Sequence, residues 1–587
     1  MPPASVRRRQ FLQGGTAAAL ATAFGLPGCA SPQAEAAAFA AVPLSRADTL
    51  VVPDGYRTQV LYAWGDPVGS PAGMPPFRFD ASNSAAEQAL QAGMHHDGME
   101  FYPLPYGSGG STRGLLALNH EYHSDGLLFT DGAAHWSAAK AAKAMAASGV
   151  SVIEVELRDG AWQAVRPSRY ARRITATTPC AVSGPAAGHA LMRTAQDPSG
   201  RLVLGTFAGC AHGWTPWGTY LTCEENFQDR FVNAGPRSAL QQRDLIPARS
   251  RAKWEVADER FDAANHPNEP NRFGWIVEID PFEPASTPVK RTALGRCCHE
   301  SATPSLAPDG RLVLYTGDDK AFEYIYKFVS RDKVDLVDRT RNGTLLDEGT
   351  LYVARFDADG TGVWLPLVHG QGALTAANGF HDQGDVLVRT RMAADAAGGT
   401  KMDRPEWIAV HPRTREVVVT LTNNMERGGK DKPGPDAANP RAGNAYGHLL
   451  RWREAGDDPA ATSFRWSVLA LAGDPAATDA AAKGSFTGDP FANPDGVRFD
   501  PSGRLWVMTD ISPSRLNQGA FRAFGNNQLL MVDERGVFRR FLTGPVGCEI
   551  TGLAFTPDGR TAFLNIQHPG EIGGEANDPA QPRKHSN

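Results

Sequence analysis

Short runs of alternating apolar and polar residues come in pairs along most of this chain. Each pair opens on carboxylates, amides, His or Cys, bends at a turn of the Pro-Asp-Gly kind, and closes on a second polar cluster. Three copies are clearest. One runs from Cys298-His299-Glu300 through Pro308-Asp309-Gly310 to Gly317-Asp318-Asp319. The next runs from Asn493-Pro494-Asp495-Gly496 through Pro501-Ser502-Gly503 to Thr509-Asp510, and the last from Glu549 through Pro557-Asp558-Gly559 to Gln567-His568. Period-two alternation about a tight turn predicts a β-hairpin, which brings its two outer ends together. The polar groups of each unit therefore share one end, and units repeated around an axis would gather many oxygen ligands into a single cup.

Three weaker copies extend the series: Asp97 through Asn119-His120-Glu121, Asp197-Pro198-Ser199-Gly200 leading into Leu202–Thr206 and ending near Cys210, and Arg404-Pro405-Glu406 through Asn423-Asn424. Six hairpins with outer strands predict an all-β fold, a six-bladed β-propeller with loop and short helical insertions. A two-domain β-sandwich accounts for the strands but not for a polar mouth on every hairpin. Insertions are expected at 228–272, 331–348, 425–442 and 455–490, and an Ala- and Lys-rich helix at Ala133–Ala147. Residues 37–90 read as an N-terminal extension with entry strands, and 91–587 as the propeller domain.

Composition narrows the function. The 587 residues carry a net charge of -5, with 61 Gly and 43 Pro, which suits a turn-rich β protein. No basic patch with interleaved aromatics suggests nucleic acid. Residues 1–36 read as a signal: Arg7-Arg8-Arg9-Gln10-Phe11-Leu12 and a weakly apolar Ala-rich run predict twin-arginine export to the periplasm or beyond. An ordinary secretory signal with an extra Arg is the alternative. Cys29 follows a lipobox-like Leu26-Pro27-Gly28, but Pro there disfavours a lipid anchor. No other run is long and apolar enough to span a membrane. The seven cysteines form no C-x-x-C pair, so zinc ribbons and thioredoxin-like chemistry have no support. No nucleophile elbow, P-loop or dinucleotide fingerprint occurs.

The hairpin mouths supply the candidate chemistry: Asp97, Asn119, Glu121, Cys210, Glu224, Glu225, Glu300, Asp318, Asp319, Glu406, Asn423, Asp495, Asp510 and Glu549. Hard oxygens suit calcium, and a thiolate among them suits a softer or redox-active metal such as iron. Carboxylates this crowded repel unless cations neutralise them, which implies several bound ions. Asp309, Asp500 and Asp558 lie inside turns and are expected only to cap them. Arg404, two residues before Glu406, suits a phosphate oxygen; a salt bridge holding the neighbouring carboxylates is the alternative. His299 could ligate or donate a proton, or simply pack against backbone. Cys210 in a Gly-rich loop could face a ligand or be buried.

Several segments together resemble the PhoX-type alkaline phosphatases. They are Asn119-His120-Glu121-Tyr122, Thr215–Asn226, Leu294-Gly295-Arg296 with His299-Glu300, Gly317-Asp318-Asp319, Asp403-Arg404-Pro405-Glu406, Pro494-Asp495-Gly496 and Gln567-His568-Pro569-Gly570-Glu571. The resemblance implies a monomeric, periplasmic six-bladed propeller that hydrolyses phosphate esters with Ca2+ and Fe3+. It places the iron-ligating cysteine at Cys210, carboxylate ligands at Glu225, Glu300 and Glu406, and the phosphate-contacting arginine at Arg404. Gly209 and His212 depart from the family pattern around the cysteine, as does Asn493 before Pro494-Asp495. The expected site is thus Arg404 and Cys210 as catalytic groups. Cys210, Glu121, Glu224, Glu225, Glu300, Asp318, Glu406 and Asp495 are expected around the metals, and Arg404, His299 and Asn119 around the substrate. A calcium-dependent propeller lactonase or esterase is the competing enzyme, and a non-catalytic calcium-stabilised binding propeller the competing non-enzyme. Neither needs a thiolate or so many carboxylates.

Overall fold

A computed structural model describes residues 39–571; the expected signal at residues 1–36, with Cys29, lies outside the described residues. The chain is mostly β, with few short helices. Among the described residues, hydrogen bonding joins the strands into sheets of five, fifteen, five and two strands.

Six strands, each the first of an antiparallel hairpin, organise the molecule. They are His96–Pro103, Gly209–Trp214, His299–Leu306, Pro405–Val410, Pro494–Phe499 and Glu549–Phe555. We call them the first to sixth ring strands, because each borders the next in chain order and the sixth borders the first. Their hairpin partners are Arg113–His120, Tyr220–Glu224, Arg311–Asp318, Val417–Leu421, Leu505–Thr509 and Ala562–Gln567. Closure between the chain's two ends is aromatic: Phe563 of the last hairpin stacks on Phe101, 5.4 Å between centroids, with Trp162 edge-on at 5.0 Å.

Every ring strand shifts register near its start, between His96 and Met99, Gly209 and His212, Glu300 and Thr303, Pro405 and Ile408, Pro494 and Val497, and Thr551 and Ala554. An extra residue at such a bulge bends the strand and re-aims the side chains beside it. In four of the six, the residue two before the mouth side chain has a left-handed φ: His95 at 49°, Ala208 at 54°, Arg404 at 55° and Asn493 at 49°. Side-chain-bearing residues seldom adopt this conformation, and it persists where the surrounding packing over-determines it. Gly98 is required by close approach, since a Cβ there would stand 2.8 Å from the carbonyl oxygen of Cys210 on the neighbouring strand.

Four expectations are corrected. The second hairpin is Gly209–Trp214 with Tyr220–Glu224, so Cys210 opens it; Leu202–Leu204 instead pairs with Pro179–Ser183 farther out. The Ala-rich helix is Ala138–Ala147, because Ser137 caps it by accepting from the Lys140 N–H. The stretch 455–490 contains a strand, Ser463–Leu471, that pairs with His448–Glu454. Residues 39–90 carry the short helix Ala85–Gln88 and isolated bridges rather than entry strands. Their first part lies along the fifth unit, where the Val42 N–H donates to the Arg540 carbonyl at 3.0 Å and Phe39 and Tyr56 both meet Phe541. The turn carboxylates behave as caps: Asp309, Asp500 and Asp558 each accept from a backbone N–H two to four residues on.

Candidate metal centre

Because the ring strands begin at the same end, their opening side chains converge. Cys210 Sγ lies 3.1 Å from Asp97 Oδ2. Ligand atoms of Asp97, Glu121 and Cys210 all lie within 4.8 Å of one another, as do those of Cys210, Glu225 and Glu300, so the sulfur is common to both groups. A third group with the same spacing joins Asp510, Glu549 and His568. Glu406 and Asp495 open the fourth and fifth ring strands between these groups.

The electrostatics are those of anions held without enough cations. Burial pushes the Glu225 carboxyl up to about 8, although Lys320 pulls it down. Burial raises Glu121, Glu300, Glu406, Asp495 and Glu549 well above the carboxylate range, and the neighbouring carboxylates add to it. Burial and then the charge of Asp97 push the Cys210 thiol up. Glu300 Oε2, Asp495 Oδ1 and Asp510 Oδ1 are buried acceptors with no hydrogen-bond partner. An orphaned carboxylate oxygen in such a place is costly, and coordination to a cation would relieve it.

Supporting residues fix the cup. Asp97 accepts from Thr551 Oγ1 at 2.7 Å and from Gln567 Nε2 at 2.7 Å, and Gln567 reaches Glu121 at 3.2 Å. Lys320 donates to Glu225 at 3.1 Å and to Asn226 Oδ1 at 2.9 Å. His568 Nδ1 lies 2.8 Å from the Gly547 carbonyl, which assigns a proton to Nδ1, and its Nε2 lies 3.6 Å from Glu549. Arg404 grips Asp319 in a bidentate pair at 2.8 and 2.7 Å and reaches Glu406 at 3.2 Å. Against its burial, Asp319 is held below the usual carboxylate range by Arg404 and then Lys320. The Arg404 side chain is 34% exposed, and its Nη1 has no partner among the described residues.

The expected residues separate by strand alternation. Cys210, Glu121, Glu225, Glu300, Glu406, Asp495 and Arg404 come together. Three others turn away. Glu224 forms a pair with Lys290 at 2.5 Å, both fully buried, and accepts from the Gly274 and Trp275 N–H groups. Asp318 is locked to Arg391. His299, which burial lowers to about 4, bonds the Gly295 carbonyl at 2.9 Å and Thr316 Oγ1 at 3.0 Å, away from the cup. Asn119 supports instead of facing substrate: its amide donates to the Cys210 and Ala211 carbonyls at 2.6 and 2.9 Å, and its oxygen accepts from Tyr220. Gly209 leaves room for the Thr222 hydroxyl, 2.5 Å from where a Cβ would sit. Lys320, Gln567 and His568 were not among the expected site residues. Their signal was position, Lys320 directly after Asp318-Asp319 and the other two at the last hairpin's mouth. All six described cysteines are free thiols.

The chain has clear relatives. A family model described as "Alkaline phosphatase PhoX" matches residues 37–570. The solved structure of Pseudomonas fluorescens PhoX in complex with vanadate, a transition state analogue, is 47% identical, with a TM-score of 0.87 over 92% of this chain and 94% of that one. A Xanthomonas campestris gluconolactonase is 12% identical over 67% of this chain and 86% of its own, with a TM-score of 0.24. No curated protein sequence matches.

Proposed function

The chain belongs to the alkaline phosphatase PhoX family and is a phosphoric ester hydrolase, and from that premise we propose that its six ring strands form a six-bladed propeller whose mouth holds calcium and ferric ions. The closed order of six first strands supports the propeller. One observation carries the metal reading: Cys210 Sγ is shared by two acidic groups, and the buried oxygens Glu300 Oε2, Asp495 Oδ1 and Asp510 Oδ1 of the ring mouth lack partners. The donor set fits the ions, a thiolate for iron and crowded carboxylates for calcium. Cys210, Asp97, Glu121, Glu225 and Glu300 would hold one part of the cluster. Glu406, Asp495, Asp510, Glu549 and His568 would hold the rest. When bound, such ions supply charge stabilisation of phosphoryl oxygens and a nucleophile at moderate pH.

The protein's own residues do the remainder. Arg404 offers its unpartnered Nη1 to a phosphoryl oxygen, and charge-assisted bonds of this kind strengthen as negative charge develops. Asp319 holds the other edge of the guanidinium, so little side-chain freedom is lost on binding. Thr551, Gln567 and Lys320 keep Asp97, Glu121 and Glu225 in place. The vanadate bound by the Pseudomonas fluorescens protein supports a transferring phosphoryl group as the species to be stabilised. Substrates are small phosphate esters. Export through the twin-arginine route to the periplasm rests on Arg8-Arg9 and Phe11-Leu12, and no described helix is long and apolar enough to cross a membrane.

Exhaustive chelation tests the proposal. With metal loss verified, hydrolysis of an aryl phosphate should stop and return on reloading with calcium and ferric iron. Full activity in verified metal-free protein would overturn it.

A further inference from the structure

Directly behind Arg404 lies a second ion pair with no part in the chemistry above. Asp403 and Arg427 are both fully buried, with Arg427 Nε donating to Asp403 Oδ1 at 2.5 Å. Asn444 Nδ2 donates to the other carboxylate oxygen at 3.0 Å. Arg427 spends its remaining donors on the Lys401 and Gly434 carbonyls, at 2.7 and 3.0 Å, and on the half-exposed Asp436 carboxylate at 3.4 Å, and lies over the Phe322 ring. Backbone bonds complete a clasp. Met402 N–H reaches the Glu323 carbonyl, Phe322 N–H reaches the Met402 carbonyl, each at 2.8 Å, and Ala321 bridges Asp403. The loop that carries Asp319 and Lys320 is thereby stitched to the one that carries Arg404.

A buried ion pair is weak evidence of stabilisation, because apolar replacements of similar volume are often neutral. Here it sits one residue from a side chain held at a φ of 55°, where an unsupported arginine would relax into ordinary backbone conformations. We propose that the Asp403–Arg427 pair is a positioning device that fixes the backbone of Arg404 and so sets where its open guanidinium edge stands over the ring. This rests on the reading that Arg404 contacts the phosphoryl group.

The test is a mutant cycle on the full-length, metal-loaded enzyme, with an aryl phosphate as substrate and inorganic phosphate as inhibitor. Asp403→Asn/Arg427→Met removes both charges and leaves neither buried alone. It should fold and keep its metal content, yet lose turnover on the order of a hundredfold, the cost of about 1 Å of misplacement, and bind phosphate more weakly. In an Arg404→Ala background the same pair of changes should cost nothing further. Wild-type turnover in the double variant, or an undiminished loss without Arg404, would overturn the positioning role. Wild-type turnover in Arg404→Ala itself would instead overturn the functional reading on which it rests. Should the double variant fail to fold, Arg427→Lys keeps the charge but not the fork, and wild-type turnover there is the refuting result.

Discussion

Replacing Arg404 by Ala separates a phosphate-binding arginine from a structural one. In the structure it makes two bonds to Asp319 and one to Glu406. Because the side chain is 34% exposed, solvent screening limits that pair to about 1 kcal/mol of stability. Lys320 remains 3.8 Å from Asp319 to offset its charge. In a chain this long, a loss of ~1 kcal/mol lowers Tm by only about 1 °C. The catalytic effect should be larger by far. Removing a charge-stabilising donor from a preorganised site costs about 3–4 kcal/mol, on the order of a hundredfold to a thousandfold in rate. The assay is turnover of an aryl phosphate per folded, metal-replete molecule, measured beside Tm. Near-normal turnover with a large drop in Tm would refute the reasoning and leave Arg404 as an ion-pair partner only.

Other expectations follow from the same geometry. Lys290→Met strands the fully buried Glu224 without its partner, which should cost about 3–5 kcal/mol in denaturant unfolding and leave turnover per folded molecule unchanged; lost turnover at normal stability would return Glu224 to the site. In metal-free protein, Glu225, raised to about 8, and its raised neighbours keep protons that the unfolded chain releases near pH ~4.5. The native state therefore binds more protons across that window, and stability falls as pH rises through it. Thermal melts of the metal-free protein between pH 5 and 8.5 should show this, with cations reversing it at the alkaline end; a metal-free Tm that climbs with pH would contradict it. Changing Arg8 and Arg9 to Lys should strand the precursor in the cytoplasm, and normal export by fractionation would rule out the twin-arginine route.

Much of the fold was legible because alternation, turn residues and mouth chemistry coincide. Glu300, Glu406 and Asp495 stand second in their ring strands, as the hairpin reading required. What stayed hidden was which of two adjacent polar residues faces inward. Glu224 and Glu225, Asp318 and Asp319, and His299 and Glu300 are neighbours pointing to opposite sides. Their environments are decided by partners far away in sequence: Lys290 for Glu224, and Arg391 for Asp318. The bulges add a residue without a sequence mark of their own, which shifts register by one and exchanges the two faces. The Cys210 hairpin was misplaced for a related reason. Its turn, Thr215-Pro216-Trp217-Gly218, lacks the Pro-Asp-Gly or Pro-Ser-Gly triplet of the three clearest copies, whereas Asp197-Pro198-Ser199-Gly200 upstream carries one.

The central claim is that the ring mouth binds several cations to hydrolyse phosphate esters. Its most direct test is a crystal structure of the purified, active enzyme with anomalous data collected above and below the iron absorption edge. More than one cation should appear inside the ring, with an iron bonded to Cys210 Sγ and calcium on the oxygens of Glu300 or Asp495 that lack partners. An active enzyme whose ring holds no cation, with Cys210 and Glu300 bonded only to protein or water, would contradict it.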